Sequence, residues 1–212
     1  MEKGDSIGWR QKYRILLPFV LAATIWFLLF IWLGAYIGMV QPQIVGEVYE
    51  EMGEVVETIE QLPPSLIAAF IFVNNSITLA LIMWGGLLFG IIPLFILMGN
   101  GLVIGVLMGE AVANGNAGLF FTGVLPHGVL ELPAVLIGAG VGLLAGWRLL
   151  FNRSDFKWKE AAKEMLVIFA ILALVLLVAA VIEVYLTTYL LHLFYDVQPL
   201  GIWGSLSPGS VV

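Results

Sequence analysis

The chain has 212 residues, of which 61% are apolar and only 11% charged, against about 25% charged in ordinary soluble domains. That much apolar surface cannot be hidden in a soluble core of this size, so lipid is the solvent for much of the chain, and disorder is excluded. A net charge of −6 without any basic stripe excludes nucleic acid as a partner, and the absence of cysteine excludes disulfides, thiolate metal sites and cysteine nucleophiles.

Residues 1–14 form a short arm carrying Lys3, Arg10, Lys12 and Arg14 against Glu2 and Asp5. Residues 15–40 then run without a charge, long enough for a first transmembrane helix. The run is too long for the apolar region of a signal peptide, and no small-x-small cleavage site follows it, so it is read as retained. Residues 41–65 change character. Glu47, Glu50, Glu51, Glu54, Glu57 and Glu60 occur with no Lys or Arg between them, and Val45, Val48, Tyr49, Met52, Val55, Val56 and Ile59 recur at three- and four-residue spacing. That period predicts an acidic amphipathic helix, ended by Pro63-Pro64. It suits packing on the membrane domain, or a docking face over 43–60 for an extracytoplasmic partner.

Residues 66–150 are apolar almost throughout, enough for three crossings. Breakers set the boundaries: Gly90-Ile91-Ile92-Pro93 and Asn114-Gly115-Asn116-Ala117-Gly118 read as turns, and Asn100-Gly101 as a third break. The preferred division is two helices over about 66–90 and 92–113, followed by a third crossing. Residues 151–164 form a basic loop: Arg153, Lys157, Lys159 and Lys163, with Arg148 just before it, outweigh Asp155, Glu160 and Glu164. The positive-inside bias puts this loop and the N-terminal arm in the cytoplasm. Four crossings between them satisfy that bias. Residues 165–195 supply the last crossing and 196–212 an external tail. The expected fold is therefore an all-α, multi-pass bundle of about five transmembrane helices in the cell membrane.

Two tandem stripes of small residues, Gly101-x3-Gly105-x3-Gly109 and Gly138-x3-Gly142-x3-Gly146, put grooves on helix faces where another backbone can approach. Packing within the chain and a homodimer both use such grooves, and a homodimer is expected.

The residues that lipid penalises are Asn74, Asn75, Asn100, Glu110, His127, Glu131 and Glu183, with Thr187 one turn after the last. His127 and Glu131, four apart, share one helix face. Pro126 suits the first turn of a helix and Pro133 a kink, which predicts a short, broken helical stretch around the pair. One imidazole and two carboxylates, His127, Glu131 and Glu183, form an N/O donor set for a divalent metal ion. The same groups suit proton handling, or a hydrogen-bonded network that joins helices. No Walker loop, zincin motif or nucleophile elbow is present, and no catalytic residue is assigned.

Taken together, Phe72-Val73-Asn74-Asn75, Gly86-x3-Gly90-Ile91-x-Pro93, Asn100-Gly101-x3-Gly105, Leu125-Pro126-His127-Gly128-x2-Glu131-Leu132 and Ala180-x2-Glu183-x3-Thr187 resemble the stage II sporulation protein M family of integral membrane proteins. The family's usual Glu-x3-Thr-Pro ends here in Thr188. The resemblance covers about 65–195, and it implies a membrane scaffold that, in spore formers, holds extracytoplasmic murein hydrolases in a complex. The reading that follows is a non-enzymatic scaffold or regulator whose polar cluster is a packed core. The alternative is a small ion, proton or metal transporter, or a metal-binding membrane protein, using His127, Glu131 and Glu183.

Overall fold

The computed structural model describes residues 9–151 and 157–195. Most of the N-terminal arm, Arg153 and Asp155 of the basic loop, and the 196–212 tail lie outside the described residues.

Every described element is helical. They are α1 (Trp9–Val40), α2 (Pro42–Glu60), α3 (Pro64–Gly85), α4 (Ile91–Ala113), α5 (Ala117–Phe151) and α6 (Trp158–Val181), which continues through a π-helical segment (Ile182–Thr187) into α7 (Thr188–Tyr195). Five stretches are long and apolar enough to cross a bilayer: Arg14–Val40, α3, α4, α5 and Trp158–Tyr195. Their outward faces are apolar, with Ile25 68% and Leu174 65% exposed, a surface that only lipid can solvate.

Local chemistry places the breaks. Pro42 and Pro64 open α2 and α3, where the missing N–H has no helical partner to lose. Between α3 and α4 the chain turns through Phe89 (φ 59°) and Gly90 (φ 75°), and between α4 and α5 through Gly115 (φ 76°). Two of these left-handed positions fall on glycine, which adopts them without a Cβ penalty. The first turn lies at Gly86–Gly90, just ahead of the Gly90–Pro93 stretch, and Pro93 sits in the first turn of α4. Asn100-Gly101 is no break, because α4 runs through it unbroken. Asn100 instead donates its amide to the Ile96 carbonyl one turn back at 2.9 Å.

The expectation that Pro126 starts a helix is also overturned. α5 begins at Ala117 and contains both Pro126 and Pro133. Gly115 breaks the chain earlier, and residues 117–125 have no water to bond their backbone, so they stay helical and only the proline positions forgo a bond.

Glycine decides how closely the helices approach. A methyl group added at Gly34 would strike the Leu102 carbonyl, one at Gly38 the Val106 carbonyl, and one at Gly109 the Ala35 carbonyl, so α1 and α4 meet backbone to backbone. The second stripe does the same for α3 and α5: Gly142 faces the Ile82 carbonyl, and Gly146 lies against Gly86 and Gly90. Both stripes are consumed within the chain, and neither remains as a groove for the expected homodimer. Apolar side chains fill the remaining space. One cluster (Leu79, Met83, Ala134, Val141, Ala145, Met165, Leu172, Leu176) joins α3, α5 and α6, and another (Ala23, Phe27, Ile82, Leu97, Ala139) joins α1, α3, α4 and α5.

α2 packs on the end of the bundle where α4 stops and α5 begins. Val45 and Tyr49 are buried against Val106, Leu107, Ala111, Leu119, Phe120 and Leu191, while Glu47, Glu50 and Glu51 point away from that contact. Its anchor is polar. The Tyr49 hydroxyl donates to Glu110 Oε2 at 3.1 Å and Asn114 Nδ2 donates to Oε1 at 2.6 Å, so a carboxylate only 6% exposed has a donor on each oxygen. Burial, with the charge and hydrogen bond of Glu110 added, holds the Tyr49 phenol well above its ordinary value of 10. Tyr49 therefore remains a donor at any physiological pH.

These contacts carry two predictions. Gly109→Leu forces α1 and α4 apart and lowers stability by about 1–3 kcal/mol or more, whereas Gly99→Ala, with open space around it, stays within about 1 kcal/mol of wild type. Thermal unfolding in detergent ranks the two. In the same assay Tyr49→Phe leaves Glu110 short of a buried donor and is destabilising by about 1–3 kcal/mol. Because the folded phenol value is raised, its contribution is fully present below about pH 10 and is lost as pH climbs further. The gap between wild type and Tyr49→Phe accordingly closes in alkali. A gap that widens there contradicts the assigned hydrogen bond.

Candidate metal centre

α5 carries His127 and Glu131 on one face, and the helix, though continuous, lacks a backbone donor on both flanks of that turn. Pro126 and Pro133 have no N–H to give, so the carbonyls of Thr122 and Val129, four residues before each, lose their α-helical donors. The ten residues from Ala117 to His127 and the fourteen to Glu131 put the pair about 15–21 Å from the α2 end of the helix at 1.5 Å per residue. The twelve residues from Glu183 to Tyr195 put that carboxylate about 18 Å from the same end. All three residues thus lie within the apolar spans, several turns from their α2 ends.

The structure brings them together. One donor atom each from His127, Glu131 and Glu183 lies within 4.8 Å of the other two. Glu183 comes from the π-helical segment, which packs on α5 and α3 as well as on its own flanking helices. The extra residue of a π turn rotates the following face by about 100°, and such turns recur at functional sites. Asn75 of α3 donates a side-chain hydrogen bond to Glu131. The group therefore draws on three elements that are far apart in sequence.

Its chemistry follows from the donor set. Two carboxylates this close in a low-dielectric interior repel each other unless one holds a proton or a positive charge lies between them. Three donors each about 2.1 Å from one tetrahedral divalent ion lie about 3.4 Å apart. The three donor atoms lie within 4.8 Å of one another, so they must draw closer to share an ion. One imidazole and two carboxylates suit a first-row divalent ion with positions left open, and they are a poor match for calcium, which takes six to eight oxygen ligands. The Asn75–Glu131 bond is the kind of outer contact that orients a ligating carboxylate.

The other residues singled out in the sequence divide. Thr187, 4% exposed, is in the π segment with Glu183, and its hydroxyl has no hydrogen-bond partner. Asn75 joins the cluster. Asn74 is exposed on α3, and Asn100 is exposed on α4 and bonded back to its own helix. The six stripe glycines pack helices, as described above. Two features are not apparent from the sequence. Ser76 Oγ is buried without a hydrogen-bond partner, as is His127 Nδ1. The Tyr49–Glu110–Asn114 group also forms a second polar centre, in which Tyr49 is more than a member of an apolar stripe. The isolated Glu110 at the end of an apolar helix is the available signal, but nothing in the sequence names its donors.

A sequence 34% identical over 130 residues, covering 57% of this chain and 73% of the relative, is an uncharacterized protein of Methanocaldococcus jannaschii. No solved structure gives a significant match. The model of the family described as "Stage II sporulation protein M" matches residues 23–188, which takes in most of the five-span bundle, both glycine stripes and the His127/Glu131/Glu183 cluster, and agrees with a non-enzymatic reading. The chain belongs to the stage II sporulation protein M family.

Proposed function

We propose that this protein binds a divalent metal ion inside the membrane, with His127, Glu131 and Glu183 as ligands and Asn75 holding Glu131 in place. The observation that supports this reading is the convergence of those three donors within 4.8 Å at a depth where an unneutralised carboxylate is expensive. No catalytic residue is invoked. The bound ion is either moved by the protein or used to join α5 to the last span.

A second reading, a scaffold for an extracytoplasmic protein, is favoured by one feature beyond family membership. α2 presents Glu47, Glu50 and Glu51 outward from the bundle end while its other face is docked. In this reading the basic residues Arg148, Lys157, Lys159 and Lys163 mark the opposite, cytoplasmic end, which places α2 outside the cell.

Metal titration decides the first reading. Chelator-stripped protein is expected to take up one Mn²⁺ or Zn²⁺ per chain. His127→Ala, Glu131→Gln and Glu183→Gln should each abolish tight binding while leaving the fold intact, and Asn75→Ala should weaken it roughly 10- to 100-fold. Affinity should fall on acidification, since the ligands bind metal only when unprotonated. Wild-type protein that takes up no metal, with variants that misfold, would identify a packed polar network instead. Orientation is read separately. The chain has no cysteine, so Glu47→Cys and Lys159→Cys each carry a single thiol, and an impermeant maleimide added to intact cells should label only the first. Lys substitution of Glu47, Glu50 and Glu51 leaves the packed face of α2 untouched. Unchanged recovery of every co-purifying protein would remove the scaffold reading.

A further inference from the structure

The last span runs back along α5. Leu119 and Phe120 at the start of α5 and Leu191 near the end of the span join the same buried group beside α2, so the two helices are antiparallel. Two contacts fix their register. Gly118 lies against the Tyr195 hydroxyl, which a Cβ there would strike. Thirteen residues further along α5, and twelve residues back from Tyr195, Glu131 meets Glu183. The two steps match, so four residues from that meeting toward α2 the facing positions are His127 on α5 and Thr187 on the π segment. Residues four apart share a helix face, in an α turn and in the slightly wider π turn alike. Because Glu131 faces Glu183, His127 faces Thr187 one turn nearer α2.

Each of these two residues carries an unanswered polar atom. His127 Nδ1 and Thr187 Oγ1 are buried without a hydrogen-bond partner, and Thr187 is only 4% exposed. A helical threonine ordinarily turns its hydroxyl onto the carbonyl four residues back. Thr24 does so, donating to the Val20 carbonyl at 2.8 Å, but Thr187 makes no such bond to Glu183. Buried polar atoms almost always find a partner, and those without one in the protein take an ordered water. A third polar group is at hand, because Pro126 leaves the Thr122 carbonyl without its α-helical donor in the same turn. There is also room. Gly128 is buried beside His127, yet a Cβ there would meet only Val124 and Leu132 of its own helix, at 3.6 and 4.0 Å. Ser76 Oγ, the other buried side-chain atom without a partner among the described residues, belongs elsewhere. Leu79 against Gly138 sets it level with Val135, past Glu131.

We propose that Thr187 is a positioning residue for His127: one buried water accepts from His127 Nδ1–H and donates to Thr187 Oγ1, which holds the imidazole in the tautomer that leaves Nε2 unprotonated for the metal ion. Metal-ligating histidines almost always donate their other ring N–H to an outer partner, and that bond sets which nitrogen is free to ligate. The task given to Nε2 rests on the metal-binding reading, whereas the bridged bond to Thr187 exists with or without an ion.

The chain has two histidines, so His192→Gln leaves His127 as its single imidazole. Nitrogen-15 NMR of histidine-labelled, chelator-stripped protein then reads the tautomer directly, at a pH where the ring is neutral. The expected form carries its proton on Nδ1. In that background Thr187→Val keeps the shape of the side chain and removes the hydroxyl. It should convert much of the ring to the Nε2–H form and weaken Mn²⁺ binding roughly 10- to 100-fold. Thr187→Ser, which restores the hydroxyl, should recover both the Nδ1–H form and the affinity. An Nε2–H ring with Thr187 in place, a tautomer that Thr187→Val leaves unmoved, or full Mn²⁺ affinity in Thr187→Val would overturn the proposal. The first of these is read without any change at position 187. A tautomer that follows the hydroxyl in a protein that takes up no Mn²⁺ would uphold the Thr187–His127 bond and refute metal binding. Mn²⁺ uptake by a protein with an Nε2–H ring would do the reverse, so the two failures are distinguishable.

Discussion

Inside a bilayer no water stands ready to bond a stranded N–H, carbonyl or carboxylate, and the rest of this structure depends on how the protein replaces it. The backbone solves its own part by remaining helical even through Pro126 and Pro133, where a soluble chain has the option of breaking. The side chains are harder to satisfy. Glu110 receives donors from Tyr49 and Asn114, Glu131 receives one from Asn75, and Glu183 is brought against Glu131 and His127. Each of these partners comes from a different turn or a different helix, so satisfying the polar groups and assembling the bundle are the same event.

Close backbone approach makes that assembly possible. Lipid tails compete evenly with apolar side chains, and helix association in membranes therefore relies on packing and polar contacts. The Gly34/Gly38 face of α1 seats on Gly105/Gly109 of α4, and Gly142/Gly146 of α5 seats on the end of α3. The second contact sets the relation of α3 to α5, which in turn lets Asn75 reach Glu131. The glycine stripe and the polar cluster are thus linked through one helix pair. α2 is tied to the bundle by a different device, a tyrosine–glutamate hydrogen bond surrounded by apolar side chains.

The π-helical segment gives the cluster its second carboxylate. A regular helix from Trp158 to Tyr195 would carry its last two turns on a different face, and Glu183 and Thr187 sit in the stretch that absorbs the extra residue.

Much of this is legible in the sequence because lipid simplifies the reading. Uninterrupted apolar length announces a span, prolines and glycines punctuate it, and a histidine and two glutamates in such surroundings stand out by their expense. The five spans, α2 and the composition of the His127/Glu131/Glu183 set follow from residue type and spacing alone. Local pattern fails where the chain's behaviour depends on contacts with distant residues. Pro126 has the chemistry of a helix start, yet continuity of α5 is imposed by the absence of water around residues 117–125. Asn74, Asn75 and Asn100 are chemically alike, and only the rotation of each helix against its neighbours separates Asn75, which bonds Glu131, from two that do not join the cluster. The meeting of Glu183 with α5 rests on a π turn that a 3.6-residue period cannot foresee. By itself the sequence determined that polar groups lie within the apolar spans and that His127, Glu131 and Glu183 are among them; the tertiary structure decided which polar groups are buried and which share a site, because that depends on helix rotation and backbone approach.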